Sequence, residues 1–222
     1  MLSVLEQTHP DVEYIVIDGG STDGSVDIIR KYADRLAYWV SESDRGIYDA
    51  MNKGIAHATG QYLNFMNAGD RFASPDVLAQ VADTNPTATI LYGNTLYKNY
   101  EKGTSHVGLP RALSEMPRWG VFCHQSALVD TVFHKQYAYD TQYKSLADYD
   151  FFRKAYLERG ATFQYVDLII SEIDNGKGMS KDNIDMNYAE LSKIVGADNN
   201  FILRCRLECR RRLGKLKRKL LG

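Results

Sequence analysis

The sequence predicts an α/β chain built on a mostly parallel sheet, and three observations carry that expectation. Asp18, Asp44 and Asp70 recur every 26 residues, and each closes a short run that reads as a β-strand. Those runs are Glu13 to Asp18, Leu36 to Val40 leading to Asp44, and Gln61 to Met66 leading to Asp70. Helix-like stretches, Ser25 to Ala33 and Tyr48 to Ala58, lie between them, and strand–loop–helix alternation implies parallel pairing. In open α/β sheets, ligands bind outside the carboxyl ends of the strands. Three acids on that rim repel an anion unless a divalent cation bridges to a diphosphate, or unless one of them accepts hydrogen bonds from a base or ribose. The arrangement points to a nucleotide site.

The remaining elements follow in order. Met1 to Gln7 reads as the end of a helix, and a sheet of this kind normally has a strand before the Tyr14 to Ile17 run, so an absent first strand is expected. Ser74-Pro75-Asp76 opens a helix through about Ala82, with proline in the first turn and an acid near its start. Thr89 to Leu91 and Thr95 to Tyr100 alternate as strands, the second an edge. Leu109 to Trp119, with two prolines, is a loop, and Val121 to Val129 is a strand or buried segment. Ala147 to Arg159 is a helix ending at Gly160, with Phe151, Phe152, Ala155 and Tyr156 turned inward. Thr162 to Ile173 is a strand broken by Asn175-Gly176-Lys177-Gly178, a diphosphate lid or a plain turn. Asn183 to Val195 is a helix, followed by a basic tail.

Length and composition bound the answer. The 222 residues bury one real core, and 44% hydrophobic with 25% charged residues is ordinary for a globular chain. The net charge of -1 hides an asymmetry, because residues 201–222 carry nine Lys/Arg against Glu208 alone. No run of 18 apolar residues suggests a membrane span, and no secretory signal precedes the first strand. Cys123, Cys205 and Cys209 form an odd set without metal-site spacing, which suits a reducing cytoplasm.

Each candidate motif has two readings. Asp18-Gly19-Gly20-Ser21-Thr22-Asp23-Gly24 closes a strand and opens a helix; glycine lets backbone approach a ligand, and Asp18 can accept from a ring N–H or a hydroxyl. It also reads as a turn with a helix cap. Asn67-Ala68-Gly69-Asp70 offers a carboxylate to Mg²⁺ or Mn²⁺, with diphosphate and water completing the shell, or is an Asp-rich turn. In Ser43 to Gly54, Arg45 and Lys53 meet phosphate or form a solvated first turn. Asp148 and Asp150 begin the Phe-rich helix as an N-cap, or one of them is a general base beside a groove. His124-Gln125-Ser126 lines the same groove, or His124 is a core histidine.

The Glu13 to Gly24 run, the Asp44-Arg45-Gly46-Ile47-Tyr48-Asp49-Ala50-Met51-Asn52-Lys53-Gly54 block and the Asn67 to Asp70 turn together resemble family 2 glycosyltransferases of the GT-A fold. The resemblance is strongest to bacterial enzymes of exopolysaccharide, O-antigen or colanic-acid synthesis and runs from Met1 to about Ser180. It implies a GT-A-like catalytic domain over 1–180, its nucleotide-binding half about 1–72 and its acceptor half about 73–180. A helical segment with a basic tail occupies 181–222. It implies that Asp18, Gly20, Ser21, Asp44, Arg45, Gly46 and Asn52 face a UDP- or GDP-sugar. It also implies that Asp70 stands in the metal motif for Mg²⁺ or Mn²⁺, and that Asp148 is the catalytic base of an inverting transfer. Asn67 and Gly69 stand where the family often carries aspartate, and Ala147 replaces the glutamate usual before the base. Glu115-Met116-Pro117-Arg118-Trp119 faintly resembles the signature of processive members but precedes Asp148, so one sugar per encounter is expected.

The tail adds an expectation of its own. Leu203, Leu207, Leu213, Leu216 and Leu220 fall near helical spacing among Arg and Lys, and a basic amphipathic helix reads as a membrane-surface element. It would set the active site beside a saccharide or lipid-linked acceptor at the cytoplasmic, inner face of the cell membrane. A solvated tail or a nucleic-acid arm are the alternatives; the acidic body disfavours nucleic acid. The rival to an enzyme is a degenerate nucleotide-binding or scaffold relative.

Overall fold

The computed structural model describes residues 1–175, 183–197, 200 and 203–212. It opens with α1 (Leu2–Leu5), β1 (Ile15–Asp18), α2 (Ser25–Lys31), β2 (Tyr38–Ser41) and α3 (Ile47–His57). Then come β3 (Tyr62–Leu63), β4 (Arg71–Phe72), α4 (Val77–Asp83), β5 (Ile90–Asn99), β6 (Thr104–Gly108) and β7 (Ala127–Asp130). It closes with α5 (Thr131–Gln136), α6 (Ala147–Leu157), β8 (Phe163–Asp174), α7 (Ile184–Ile194) and a helix over 203–212, α8.

β1 and β2 pair in parallel, Asp18 opposite Ser41. The larger sheet runs β3-β7-β5-β8-β4, with β6 on β5. Within it β5 and β8 are parallel, whereas β3–β7, β5–β7, β5–β6 and β4–β8 are antiparallel. The sheet is therefore mixed where the βα alternation predicted mostly parallel pairing: β6 folds back on β5 as a hairpin, and β7 and β4 join antiparallel to strands distant in the chain. The period of two is clean in β5. Ile90 and Tyr92 face the core with α3 and α6, while Leu91 faces the one with α1 and α4. Helices thus cover both faces. Gly93 is required at the β5–β8 crossing, where a Cβ would lie 2.7 Å from the Leu168 carbonyl oxygen, beside a register shift.

Several expectations shift in detail. The Gln61 to Met66 strand shrinks to Tyr62–Leu63, because Asn64 turns its Nδ2 to the carbonyls of Gln125 (2.9 Å) and Ala127 (2.8 Å). The strands expected at Thr89 and Thr95 are one continuous β5, and the polar β6 beside it was unforeseen. Val121 to Val129 resolves into a loop, a 3₁₀ turn at His124–Ser126 and the start of β7. Tyr156 is exposed, while Phe151, Phe152 and Ala155 are buried as expected. The glycine-rich segment after Asn175, and Leu213, Leu216 and Leu220, lie outside the described residues. No pairing joins β1 to β3; a groove of about 1070 Å³ separates them, lined by Tyr14, Ile15 and Ile17 on one side and Leu63, Phe65 and Met66 on the other.

Candidate active site

At the end of β1, Asp18 is enclosed by its own loop. Its Oδ2 accepts from the backbone N–H of Gly20 (3.1 Å) and Ser21 (2.9 Å) and from Ser41 Oγ (2.6 Å), while Oδ1 accepts from Ser21 Oγ (2.5 Å). The Ser21 and then the Ser41 hydroxyl stabilise the ionised form, and the carboxyl is pulled down to about 2. Asp44 leans on the same loop, since a Cβ on Gly19 would stand 2.4 Å from its Oδ2. Its Oδ1 accepts from the Gly46 N–H (2.8 Å), and Gly46 begins α3 at φ 119. Asp18, Gly20, Ser21, Asp44 and Gly46 therefore share one end of the β1–β2 sheet, with Arg45 beside them.

Arg45 is exposed and paired with Asp49 at 2.8 Å, and Lys53 with Glu42 at 2.7 Å. Asn52 departs from its expected place. Its Nδ2 donates to the Tyr139 carbonyl and its Oδ1 accepts the Tyr139 N–H, both at 2.9 Å, so the amide clamps α3 to the segment before α6.

The other end of the site is assembled from distant parts of the chain. Asp148, in the first turn of α6, accepts from Tyr48 Oη on Oδ1 (2.8 Å) and faces His124 Nδ1 with Oδ2 (2.9 Å). Burial raises this carboxyl, but the hydrogen bond and charge of His124 and the Tyr48 hydroxyl outweigh it, leaving it below its ordinary value. Asp148 caps nothing with its side chain. The N–H groups of Lys144, Ser145 and Leu146 instead converge on Glu190 of α7, at 2.6, 3.0 and 3.0 Å. Asp150, the other acid of the pair, is buried against Lys154 at 2.7 Å. The two readings of that motif are separated: only Asp148 reaches the site.

Asp70 lies across from this group. Gln125 Nε2 donates to its Oδ2 (2.6 Å), and Cys123 Sγ donates to Gln125 Oε1 (2.8 Å). Burial raises the Asp70 carboxyl more than Gln125 and His124 lower it, and Asp174 raises it further. Among the described residues no cluster of three metal-ligating side chains surrounds it. A half-buried carboxylate whose burial outweighs its hydrogen bonds fits a hard cation that draws most of its oxygens from diphosphate and water. A cavity of about 270 Å³ opens beside Asp148 and His124, walled by Trp119, Phe122, Phe152 and Tyr188. Arg210 of α8 covers the Trp119 ring at 3.9 Å, and Arg211 pairs with Asp185 of α7 at 3.0 Å. Leu207 is buried, so part of the apolar face expected for lipid is spent on the protein. No helix among the described residues is long and apolar enough to cross a membrane.

Tyr48, Cys123 and Glu190 carried no assigned role in the sequence, and Gln125 only a place along the groove. Only the His124-Gln125-Ser126 run signalled a groove; Gln125 and Ser126 are both buried, and Ser126 is bonded to the Asn94 carbonyl and to Thr95 and Ser171.

Comparison with known proteins agrees with this geometry. Among curated relatives, a PGL/p-HBAD biosynthesis glycosyltransferase of Mycobacterium bovis (strain BCG / Pasteur 1173P2) is 29% identical over 195 residues, 84% of this chain and 74% of the relative. An uncharacterized glycosyltransferase of Mycobacterium tuberculosis (strain ATCC 25618 / H37Rv) is 53% identical over 72 residues, 32% of this chain and 28% of its own. S. aureus TarS 1-349 in complex with UDP-GlcNAc superposes with a TM-score of 0.65 at 17% identity, over 87% of this chain and 65% of that one. The mannosyltransferase PcManGT from Pyrobaculum calidifontis, in complex with GDP-Man and Mn2+, gives 0.60 at 18% identity, over 86% and 56%. This chain thus spans less than two thirds of those solved chains, whose likeness establishes the GT-A-like fold. The Glycosyl transferase family 2 model matches residues 1–144, and the chain belongs to that family of glycosyltransferases.

Proposed function

We propose that this glycosyltransferase moves one sugar per encounter, with inversion, from a UDP- or GDP-sugar to a saccharide acceptor, as a hexosyltransferase of cell-surface polysaccharide synthesis of the exopolysaccharide, O-antigen or colanic-acid type. The observation that carries this reading is Asp148. Its carboxylate stands at the wall of an aromatic-lined cavity, ionised and held by Tyr48 and His124. There it accepts the proton of the acceptor hydroxyl while that oxygen attacks the anomeric carbon from the face opposite the leaving nucleotide. An α-linked donor then gives a β-linked product. Trp119, Phe122 and Tyr188 give the acceptor apolar surfaces on which a ring can stack.

On the donor side, Asp18 keeps acceptor capacity at Oδ1 for a base N–H or ribose hydroxyl, because only Ser21 Oγ uses that oxygen. Gly20, Ser21, Asp44, Arg45 and Gly46 complete that side; Asn52, with both amide atoms committed to Tyr139, supports it from behind. Asp70 is the protein ligand for Mg²⁺ or Mn²⁺, which when bound neutralises charge on the diphosphate.

The exposed cations of α8, Arg204, Arg206 and Arg212, suit attachment to anionic lipid at the inner membrane face, beside a lipid-linked acceptor. Replacing these three by alanine is expected to weaken binding to anionic vesicles, each cation contributing about 1 kcal/mol. Unchanged binding removes the membrane assignment. For the transfer itself, a panel of UDP- and GDP-sugars with simple saccharide acceptors is the test. Turnover by the wild type and none by Asp148→Asn supports the reading. Near-normal turnover by Asp148→Asn refutes the base, and nucleotide binding without turnover on any pair favours a non-catalytic relative.

A further inference from the structure

Two consecutive residues on one turn hold the two acids on which the proposed reaction depends. His124 Nδ1 lies 2.9 Å from Asp148 Oδ2, and Gln125 Nε2 lies 2.6 Å from Asp70 Oδ2. The turn is itself fixed from below. Ser126 Oγ is fully buried and bonded to Asn94 O (2.9 Å), Thr95 Oγ1 (2.7 Å) and Ser171 Oγ (2.6 Å), and Asn64 Nδ2 grips the Gln125 carbonyl at 2.9 Å.

Both side chains are also oriented from their far ends. Asn67 Nδ2 stands 3.1 Å from His124 Nε2. An amide nitrogen only donates, so Nε2 must be the accepting ring atom and Nδ1 must carry the proton that meets Asp148. Cys123 does the same for Gln125. Burial pushes its thiol up to about 12, so it stays protonated and donates to Oε1 at 2.8 Å, leaving Nε2 for Asp70. The loop carrying Asp70 therefore touches the turn twice, through Asn67 to His124 and through Asp70 to Gln125.

We propose that His124 and Gln125 are positioning residues, His124 fixing Asp148 as the Nδ1–H tautomer imposed by Asn67, and Gln125 fixing Asp70, so that one turn sets the donor-metal carboxylate and the base carboxylate together. This rests on the roles given above to Asp70 and Asp148. It also gives Asn67 a use: its amide donates to Nε2 and leaves the proton on Nδ1, whereas an aspartate there would accept from Nε2–H and draw the proton to that nitrogen.

The test needs no acceptor. Long-range ¹H–¹⁵N spectra of the ring nitrogens at about pH 8, where an ordinary histidine is neutral, report the tautomer of each histidine directly. With 5 histidines in the chain, His124 is assigned by the signal lost in His124→Gln, or by through-bond assignment of the wild type if that variant does not fold. A proton on Nδ1 and none on Nε2 is expected, with a mixture of tautomers in Asn67→Ala. A proton on Nε2 in the wild type, alone or with Nδ1, overturns the His124 assignment, as does an Asn67→Ala spectrum identical to the wild type. In parallel, calorimetry with UDP and GDP, with and without Mn²⁺, is expected to show Gln125→Ala losing roughly tenfold in metal-dependent nucleotide affinity, the scale of a lost partner to a metal ligand. Unchanged affinity overturns the Gln125 assignment. Asp70→Asn is the control that separates the two claims. If it binds metal and nucleotide like the wild type, the metal role itself is wrong; if it fails while Gln125→Ala binds normally, only the positioning role is.

Discussion

Asp18 and Asp70 look alike in sequence, each an acid closing an apolar run before a turn, yet the fold treats them in opposite ways. Asp18 accepts four hydrogen bonds from Gly20, Ser21 and Ser41, and its carboxyl is drawn down to about 2. Asp70 is more deeply desolvated than it is compensated. Gln125 is the side chain that hydrogen-bonds it, and its carboxyl is pushed up from 3.8. The protein completes the first acid by itself and leaves the second short of positive charge. On the proposed reading, the Asp18 loop is a finished surface for the nucleotide, whereas Asp70 gains its missing positive charge only from a bound cation.

The largest expected effect concerns the third acid. Asp148→Asn should lower kcat by about 10³-fold, within the range ascribed to general bases, with donor affinity within about twofold; turnover and calorimetry on one preparation check this. Next, Asp70→Asn should weaken Mn²⁺-dependent nucleotide binding at least about tenfold while leaving the metal-free protein no less stable, since it removes a desolvated charge. Asp18→Asn, by contrast, should lower the stability of the metal-free protein. Weakening charge-assisted bonds costs about 2 kcal/mol, a fall in Tm of roughly 4–8 °C for a chain of this size. Equal Tm losses in the two variants would break the comparison.

Acid titration sharpens it further. Asp18 has a depressed folded-state value, so its stabilisation is present above 3.8 and disappears as pH falls toward about 2. Asp70 has a raised value, so its unfavourable contribution is relieved as pH falls through that value. Urea midpoints should therefore fall less steeply for Asp18→Asn than for the wild type between 3.8 and about 2, and more steeply for Asp70→Asn in the window just above 3.8. The smallest effect is Gly19→Ala. A Cβ there meets Asp44 Oδ2 at 2.4 Å, so that side chain must swing away, costing about 1 kcal/mol and severalfold in nucleotide affinity.

What was legible in the sequence were the elements whose signals are local. α2, α3, α6 and β8 follow from period and caps, and the strand-end acids from the turns beside them. The β6 edge escaped because it is polar and almost fully exposed, leaving no alternation to read. α5 escaped although Asp130 Oδ1 accepts the Phe133 N–H at 2.7 Å, because Asp130 ends a strand and caps a helix at once. The site was half legible. Asp148 was identified by likeness, but its partner Tyr48 lies 100 positions away and Gln125 lies 55 from Asp70, separations no pattern within an element reports. The engagement of the Asn52 amide by Tyr139 was hidden for the same reason, since Tyr139 is 87 positions downstream.

On the proposed reading Asp70 needs a cation and Asp18 does not. It is tested most directly by calorimetric titration of UDP and GDP, each with and without Mn²⁺, into the wild type, Asp70→Asn and Asp148→Asn. Binding of one nucleotide that depends on Mn²⁺ in the wild type, is lost in Asp70→Asn and persists in Asp148→Asn is the expected result. Binding of equal strength with and without the metal, unaffected by Asp70→Asn, would contradict it.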